Sequence, residues 1–253
     1  MKIYEIGLKN NMAQQIKDYI FSNQISLWGS SEVIGFGDND FSVIEVDRNI
    51  ANKLIIENHY SHKVYNATYI HLSVMFKNEI KGILQFGYAM NPASQASVVA
   101  DTKQDEYLEL NRMWLHDDMP KNSESKAISY AIKYIKRKFN GKIKWIQSFA
   151  DERCGRNGIV YQACSFNYYG EHKSDFWELD GEVYHNIQMT LSEKDHRYND
   201  VVKNLQDNKD KAKKMTLRQF RYIFFIDKRY KNKCLLKEKE YPKHYLEENN
   251  GTL

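Results

Sequence analysis

The stretch that most constrains the fold is 144–166, which reads KWIQSFADERCGRNGIVYQACSF. Residues 143–149, IKWIQSF, include four apolar or aromatic residues and no glycine or proline, which predicts a buried strand, and a short helix is predicted over 159–164. Asp151 follows the strand, and Gly155 and Gly158 lie in the loop before the helix. A carboxylate there suits a ligand site, because the strand fixes the side chain and the turn lets backbone N–H groups face a ligand. The alternative, which spacing alone favours, is that Asp151 caps the helix and the glycines form the turn.

Length and composition indicate a globular protein. The chain has 253 residues, of which 42% are hydrophobic and 28% charged, enough for one large domain or a domain with an appendage. The three cysteines, Cys154, Cys164 and Cys234, show no CxxC spacing, which argues for a reducing compartment and against a disulfide framework. We expect a cytoplasmic protein, since the first ten residues do not read as a signal peptide and no apolar run approaches a membrane span.

Charge is unevenly spread along the chain. Residues 197–243 contain fifteen Lys or Arg against six Asp or Glu, an excess of nine, so with a net charge of +4 the remainder is about five negative. A basic C-terminal part predicts contact with a polyanion, and the alternative is a solvated helix face.

The order of elements predicts a mixed α/β sheet flanked by helices. The predicted elements are strand 41–46, helix 50–58 capped by Asp47 or Asn49, a hairpin of 67–76 and 80–88, a loop over 90–105, strand 107–116, helix 123–137, strand 143–149, helix 159–164, a hairpin turning at Asp180-Gly181, a charged helical segment within 195–214, and strand 220–226.

The helix predicted over 123–137 begins with an unusual charge. Asn122 or Ser123 would cap it, and Lys126 lies in its first turn, where the helix dipole favours an acid. An anion such as a pyrophosphate at this helix end would account for the lysine. The position after the central strand fits a cradle for an acyl-coenzyme A.

A titratable cluster ends the helix predicted over 50–58. The residues are His59, Tyr60, Ser61 and His62. A surface turn with a structural histidine is as good an interpretation as a functional cluster.

Several ordered motifs resemble the phage Mom family, whose members are GNAT-fold DNA-modification proteins. The motifs are Asn58-His59-Tyr60-Ser61, Gly82, Phe86-Gly87, Leu110-Asn111-Arg112-Met113, Asn122-Ser123-Glu124-Ser125, Ser148-Phe149-Ala150-Asp151, Gly158-Ile159-Val160-Tyr161-Gln162-Ala163, Phe220-Arg221-Tyr222 and Tyr241-Pro242-Lys243. The resemblance covers 41–185 and resumes at the strand that holds Arg221. It implies conversion of adenine in double-stranded DNA to a carbamoylmethyl-type, glycinamide-like adenine that protects phage DNA from host restriction in the bacterial cytoplasm. It also implies an acetyl-coenzyme A-type donor and iron dependence.

The resemblance also implies roles for individual residues. His59, Tyr60, Asp151 and Tyr161 match positions used for chemistry, and His59, Asp151 and Tyr161 would hold a metal. Arg112 and Ser125 match positions tied to the donor, and we extend the donor site to Met113, Leu115, Asn122, Ser123 and Lys126. Phe149 and Arg156 depart from the tyrosine and histidine that are commoner in the family, which leaves their roles open.

Two chemical interpretations of His59 and Asp151 remain open from the residues. One nitrogen and one oxygen ligand, with a phenolic oxygen from Tyr60 or Tyr161, suit iron(II) with open positions. Without a metal, the histidine and the carboxylate could act as general base and orienting group. In both cases the adenine must be flipped out of the duplex into a pocket lined by aromatic residues such as Phe86.

The basic C-terminal part would contact the DNA backbone. The residues predicted to do so are Lys213, Lys214, Arg218, Arg221 and Lys243. The domain boundaries predicted are an extension over 1–40, a GNAT-like core over 41–192 and a basic extension over 193–253 that completes the sheet. The oligomeric state stays open, a dimer included.

Two other functions are compatible with the sequence. A plain N-acetyltransferase for a protein or small amine would need the same donor cradle and no polyanion surface. A catalytically silent DNA-binding or anti-restriction protein would need no acyl donor.

Overall fold

The computed structural model describes residues 33–152, 157–195 and 198–242. Its strands are β1 Gly35–Gly37, β2 Phe41–Glu45, β3 Thr68–Phe76, β4 Glu79–Gly87, β5 Tyr107–Leu115, β6 Trp145–Asp151, β7 Asn167–Leu179, β8 Glu182–His185 and β9 Lys213–Phe225. Its α-helices are α1 Arg48–Asn58, α2 Ser123–Lys138, α3 Ile159–Ala163, α4 Asn186–Thr190 and α5 Asp200–Asp207. The predicted mixed α/β class is confirmed. None of the described helices has the length and apolar content that a membrane crossing requires.

The chain divides into two compact units. The first consists of 33–148, Val160–Asn167 and Ile223–Lys237, and the second takes the remaining described residues. Strands β6 and β9 each run from one unit into the other along the chain.

The first unit has the strand order β1-β2-β3-β4-β5-β6. Neighbouring strands are antiparallel from β1 to β5, whereas β5 and β6 are parallel. The parallel pair includes Tyr107 opposite Trp145, Leu108 opposite Ile146 and Glu109 opposite Gln147.

Helix α1 covers one face of this sheet. Its apolar residues Ala51 and Ile55 are fully buried against Ile83 of β4, with Trp114 of β5 packed beside them. The helix begins where Asp47 accepts a hydrogen bond from the backbone N–H of Asn49, which confirms the predicted N-cap.

Helix α2 packs against β1 and β2. Its buried stripe, from Ala127 to Ile135, has the spacing of an amphipathic helix. Tyr134 on this stripe donates a hydrogen bond to the carboxylate of Glu45, which raises the pKa of the phenol together with the effect of burial. The hydrogen bond joins the helix to β2.

The second unit contains β7, β8 and most of β9, in the order β9-β7-β8. The predicted Asp180-Gly181 turn is present, and both residues have positive φ, as a two-residue hairpin loop requires. Leu179, Tyr184 and Leu205 form a core cluster under α5, with Trp177 packed against it.

Three sequence predictions were wrong in detail. The charged segment 195–214 is helical only over Asp200–Asp207, and Lys213 and Lys214 begin a strand. The strand predicted over 220–226 is the second half of the 13-residue β9, because the charged first half hid its strand character. The loop 90–105 contains two 3₁₀ helices, Pro92–Ser97 and Gln104–Glu106.

Candidate functional site

The predicted donor residues at the start of α2 line a cavity. Its volume is about 380 Å³, and its lining residues are Phe41, Phe76, Pro120, Lys121, Asn122, Ser123, Ser125, Lys126, Ser129 and Ala163. Asn122 occupies the N-cap position in a left-handed conformation and makes no side-chain cap bond. The first backbone N–H groups of an α-helix have no partner within the helix, and they attract anions. We call the start of α2, with its backbone N–H groups, Ser125 and Lys126, the donor-rich region, because it is rich in hydrogen-bond donors. Its hydrogen-bonding character is therefore that of an anion site.

Lys126 lies in this region, and its ammonium has partners of its own. It is 3.3 Å from the carboxylate of Asp38 and 4.7 Å from the ring centroid of Phe41. Both side chains of this ion pair are exposed, so the pair holds the lysine only weakly. The lysine has an explanation without a bound anion, although it lines the cavity.

Cys164 lies behind the same region and is buried. Its thiol donates to the backbone carbonyl of Ser125 at 3.3 Å. Burial raises the pKa of the thiol to about 11. A thiol that stays protonated at neutral pH is a structural group here and not a nucleophile.

His59 is a buried residue at the C-terminal end of α1. The backbone N–H of Ser61 donates to its Nδ1 at 3.1 Å, and the Ser61 hydroxyl lies 2.8 Å from the same nitrogen. Because Nδ1 accepts, a neutral ring carries its proton on Nε2. Tyr60 stacks on the imidazole with centroids 4.3 Å apart and is 53% exposed, so it lies at the surface.

This tautomer tests the implied iron site. A histidine that binds a metal through Nε2 ordinarily donates its Nδ1–H to an acceptor, whereas Nδ1 of His59 faces a backbone donor. Within the described ranges 33–152, 157–195 and 198–242, no three His, Cys, Asp or Glu residues are grouped as a metal site would require. As arranged, His59 does not fit a metal ligand, and the chemistry below is derived without a metal.

Arg112, predicted to bind the donor, holds the chain segment that follows His59. Its Nε donates to the carbonyl of Lys63 at 3.2 Å, and Nη1 donates to the carbonyl of Asn111 at 2.7 Å. The guanidinium also lies 5.6 Å from the ring centroid of Tyr65. Arg112 therefore joins β5 to the segment between α1 and β3. Of the other residues predicted on this strand, Met113 pairs with Leu84 and Leu115 with Gly82, and both are half-buried.

A bulge in β5 places Glu109 and Arg112 on the same face of the sheet. The register pairs Arg112 with Gln85 and Glu109 with Gly87, and it shifts between these pairs. Gln85 and Gly87 are two residues apart on β4 and share a face, whereas their partners are three residues apart. The shared face is the one that α1 covers at Ile83. Glu109, which the sequence predictions did not include, thus lies on the same side as Arg112.

Glu109 is held by two carboxamides. Gln147 Nε2 donates to one carboxylate oxygen at 2.8 Å, and Asn111 Nδ2 donates to the other at 3.0 Å. Gln147 is its register partner on β6 and is 5% exposed. Burial, and next the charge of Glu109, raise the pKa of the neighbouring Tyr65 to about 12. We call Glu109, Asn111 and Gln147 the acceptor-rich region.

The carbonyl oxygens of the two carboxamides are buried and have no hydrogen-bond partner in the structure. Leaving a buried acceptor without a partner costs about 1–3 kcal/mol. Buried polar groups in native proteins are nearly always paired, so two such oxygens beside one carboxylate require an explanation.

Asp151 and the predicted DNA-binding residues of β9 belong to the second unit. Asp151 is the last residue of β6 and is buried. The next residue, Glu152, accepts from the backbone N–H of Arg218 at 2.8 Å and from its guanidinium Nε at 2.9 Å. The hydrogen bonds from Arg218 hold the pKa of Glu152 below its ordinary value. Arg218 therefore anchors the chain next to Asp151.

The other predicted DNA contacts are placed differently. Lys214 pairs with Asp175 at 2.7 Å, and the Arg221 guanidinium lies 5.1 Å from the ring centroid of Phe149. Lys213 is exposed at the start of β9. Lys243, like Arg156 and Cys154, lies outside the described residues.

Tyr161 lies within α3, and Gly158 directly precedes this helix. Tyr161 is buried in the first unit with its ring 5.7 Å from that of Phe166. In the second unit, Tyr222 donates a hydrogen bond to the carbonyl of Asn157, and a Cβ on Gly158 would lie 2.3 Å from its ring. Gly158 also has a φ of +82°, so it is required both by conformation and by the tyrosine.

Comparison with known proteins identifies the family of the chain. The sequence model of the Mom protein family matches residues 40–243, which is most of the chain. The chain belongs to the Mom family. It is 42% identical over 241 residues to the methylcarbamoylase Mom of Escherichia phage Mu, a match that covers 94% of this chain and 98% of the relative.

Solved acetyltransferases resemble this Mom family member at low identity. The ribosomal-protein-S5-alanine acetyltransferase of Vibrio fischeri is 11% identical, with a TM-score of 0.45, and covers 77% of this chain and 97% of its own. A GNAT family acetyltransferase of Elizabethkingia anophelis with bound acetyl-CoA is 11% identical, with a TM-score of 0.43, and covers 75% of this chain and 100% of its own. Likenesses of this size carry no conclusion about donor or substrate.

Proposed function

We propose that the protein transfers a carbamoylmethyl group to the exocyclic amine of adenine in double-stranded DNA. The observation that carries the proposal is the 42% identity with the phage Mu methylcarbamoylase over nearly the whole of both chains. The motif residues His59, Arg112, Asp151 and Tyr161 all fall inside the region that the family's sequence model matches.

The group named for the relative is an isomer of the group that the sequence motifs imply. A methylcarbamoyl group joins the amine through its carbonyl carbon as a urea, whereas a carbamoylmethyl group joins it through a methylene. The two products have the same mass. The proposal keeps the carbamoylmethyl group that the motifs imply, and fragmentation of the modified nucleoside separates the isomers, because only the urea loses methyl isocyanate.

The transfer has a definite chemical balance. The amine nitrogen attacks the methylene carbon of an activated carbamoylmethyl donor, and the bond from that carbon to the leaving group breaks as the new carbon–nitrogen bond forms. The leaving group departs with the electron pair, and the amine loses one proton to a base. An acetyl group lacks the second nitrogen, so transfer from acetyl-coenzyme A alone would give an N6-acetyl product.

The donor-rich region suits an anionic part of the molecule that supplies the transferred group. Backbone N–H groups at the start of α2, with Ser125 and Lys126 beside them, line a cavity that would take an anionic group such as a pyrophosphate. Because its Nε2 carries the proton, a neutral His59 would donate a hydrogen bond to a reacting group, and Asp151 is the proposed base that takes the proton of the amine.

The DNA contact belongs to the proposal as well. Lys213, Arg221 and Lys243 remain proposed phosphate contacts, while Arg218 and Lys214 already pair with carboxylates of their own unit. The iron dependence implied by the family resemblance stays a prediction. The metal content of the purified protein, read by atomic emission, checks it.

Nucleoside mass spectrometry tests the function. Plasmid DNA from cells that express the protein should contain a deoxyadenosine with the mass of a carbamoylmethyl adduct that fragments without loss of methyl isocyanate. Asp151→Ala should abolish the product while the protein stays folded, and the control Asp207→Asn, at an exposed aspartate paired with Lys203, should keep it. DNA without any modified adenine from the wild-type protein, or unchanged product from Asp151→Ala, would contradict the proposal or the role of Asp151, respectively.

A further inference from the structure

We propose that the acceptor-rich region, Glu109, Asn111 and Gln147, is the recognition site for the amino group of the substrate base. The inference rests on the proposed function, because it names where the exocyclic amine of adenine binds. It is carried by two unpaired buried oxygens around one carboxylate.

The orientation of the two carboxamides is the first step. Each directs its NH₂ group to Glu109, one to each carboxylate oxygen. A carboxylate that accepts from both sides is favoured in its charged form. The carbonyl oxygens of Asn111 and Gln147 are thereby turned to places where the structure offers them no donor.

The second step is the position of the region in the sheet. Glu109 of β5 and Gln147 of β6 are register partners in the parallel pairing of the two strands. Asn111 is the residue skipped in the register with β4, where Phe86 pairs with Leu110 and Gln85 with Arg112. Bulges occur next to active sites, where they re-aim a side chain. Glu109 is only partly buried, so a ligand has access to its carboxylate.

The third step is the chemistry that such a region selects. It offers a carboxylate and two amide oxygens, all of them hydrogen-bond acceptors. Adenine carries an NH₂ donor at the position where guanine and hypoxanthine carry a carbonyl acceptor. A set of acceptors therefore attracts the amine and repels the carbonyl, and the substrate class is an aromatic base with an exocyclic amine.

A buried water is the alternative explanation of the two unpaired oxygens. One water can donate to both unpaired oxygens, and buried waters ordinarily satisfy such groups. A water would hold the three side chains together without any effect on which base binds. Selectivity between an amine and a carbonyl therefore separates the two explanations, and loss of stability does not.

The experiment measures nucleotide binding to the full-length protein by isothermal titration or NMR. The probes are 2′-deoxyadenosine 5′-monophosphate and 2′-deoxyinosine 5′-monophosphate, which differ in the amine or the carbonyl on the six-membered ring and in the proton that the carbonyl form carries on the adjacent ring nitrogen. We expect the wild-type protein to bind the adenine nucleotide about tenfold more tightly. Glu109→Gln should bring the two affinities close to each other, because a glutamine amide can donate to the carbonyl. Gln147→Met should reduce the ratio in the same direction.

The control is Glu79→Gln, which neutralises an exposed carboxylate on the adjacent strand and should leave the ratio unchanged. Thermal unfolding of each variant shows that it is folded when it is titrated. Equal affinities for the two nucleotides in the wild-type protein, no binding of either at millimolar concentration, or an unchanged ratio in Glu109→Gln would each overturn the proposal.

The outcome is separable from that of the proposed function. Modified adenine in cellular DNA together with equal nucleotide affinities would keep the function and remove the recognition site. A clear preference for the amine with no modified adenine would keep the recognition site and remove the group transfer.

Discussion

The acceptor-rich region and the donor-rich region have opposite hydrogen-bonding character. Glu109, Asn111 and Gln147 present oxygens, two of which have no partner in the structure. The start of α2 presents backbone N–H groups and a lysine around a cavity of about 380 Å³, while the hydroxyls of Ser123 and Ser125 donate to the carbonyls of Pro120 and Asn122. One region suits an N–H-bearing base and the other an anionic handle. A group-transfer enzyme needs both kinds of site, one for each substrate.

The two regions also differ in how they are built. The donor-rich region is local, since it is formed by the first turn of one helix and needs only a helix start at the right place. The acceptor-rich region joins side chains from two strands that are 38 residues apart in sequence. The first is readable from a sequence, whereas the second depends on a strand pairing and a bulge.

The largest effect on DNA modification is expected from a substitution that puts a negative charge into the donor-rich region. Ser125→Glu places a carboxylate in the first turn of α2, where it would occupy the space and the helix-end field that an anionic donor requires. We expect DNA modification to fall by about 100-fold or more, since an oriented anion contact is lost and a repulsion is added. Quantifying modified deoxyadenosine per total deoxyadenosine measures it.

Ser125→Ala is the matched control for that change. It removes the hydroxyl, which donates to the carbonyl of Asn122, without adding a charge, and should keep most of the activity. Equal activity of Ser125→Glu and the wild-type protein would show that no anion binds at this helix end.

A smaller effect is expected from Arg112→Lys, which lies on the face of the acceptor-rich region. A lysine cannot donate to the carbonyls of Lys63 and Asn111 in the geometry of the guanidinium. The segment after His59 should loosen, activity should fall about tenfold, and the free energy of unfolding should decrease by about 1–2 kcal/mol. Modification assays and urea unfolding measure the two quantities.

Arg48→Lys is a matched control, because Arg48 donates to the carbonyl of Asn66 at the far end of the same segment. That contact is exposed, so the substitution should change the free energy of unfolding by less than about 0.5 kcal/mol. If both variants behave alike, Arg112 has no special role in holding the segment.

The smallest effect concerns a buried histidine on the face that carries the acceptor-rich region. His71 pairs with Gln85 at 3.2 Å, and burial, with the charge of Arg48 as the next cause, lowers its pKa below 6.5. The unfolded chain therefore binds more protons than the folded one as the pH falls below 6.5. The free energy of unfolding should decrease over that range, because protonation favours the unfolded state.

Urea unfolding of the wild-type protein between pH 7.5 and pH 5 would record this decrease. In His71→Asn, which does not titrate, the free energy of unfolding should depend less on pH over the same range. Identical pH profiles of the two proteins would mean that His71 titrates alike in the folded and unfolded states.

The sequence by itself determined the local elements and the family. The strand and Asp151, the cap at Asp47, the helix from Ser123 and the Asp180-Gly181 turn all follow from periodicity and turn chemistry, which act between near neighbours. The motif residues identified the Mom family, and the comparisons confirm it. The roles of His59, Asp151 and Tyr161 stay predictions.

The acceptor-rich region was decided by the tertiary structure. Apolar residues alternate along β5 at Leu108 and Leu110 and again at Met113 and Leu115. The alternation shifts by one residue after Leu110, and this shift is how the bulge is visible in the sequence. That shift does not say which residue of another strand lies opposite Glu109. Only the parallel pairing of β5 with β6 brings Gln147 to it, and pairing between distant segments depends on the packing of the whole sheet. The carboxylate partners of Arg218 and Lys214 likewise come from distant parts of the chain, and the contact of these two residues with DNA stays a prediction.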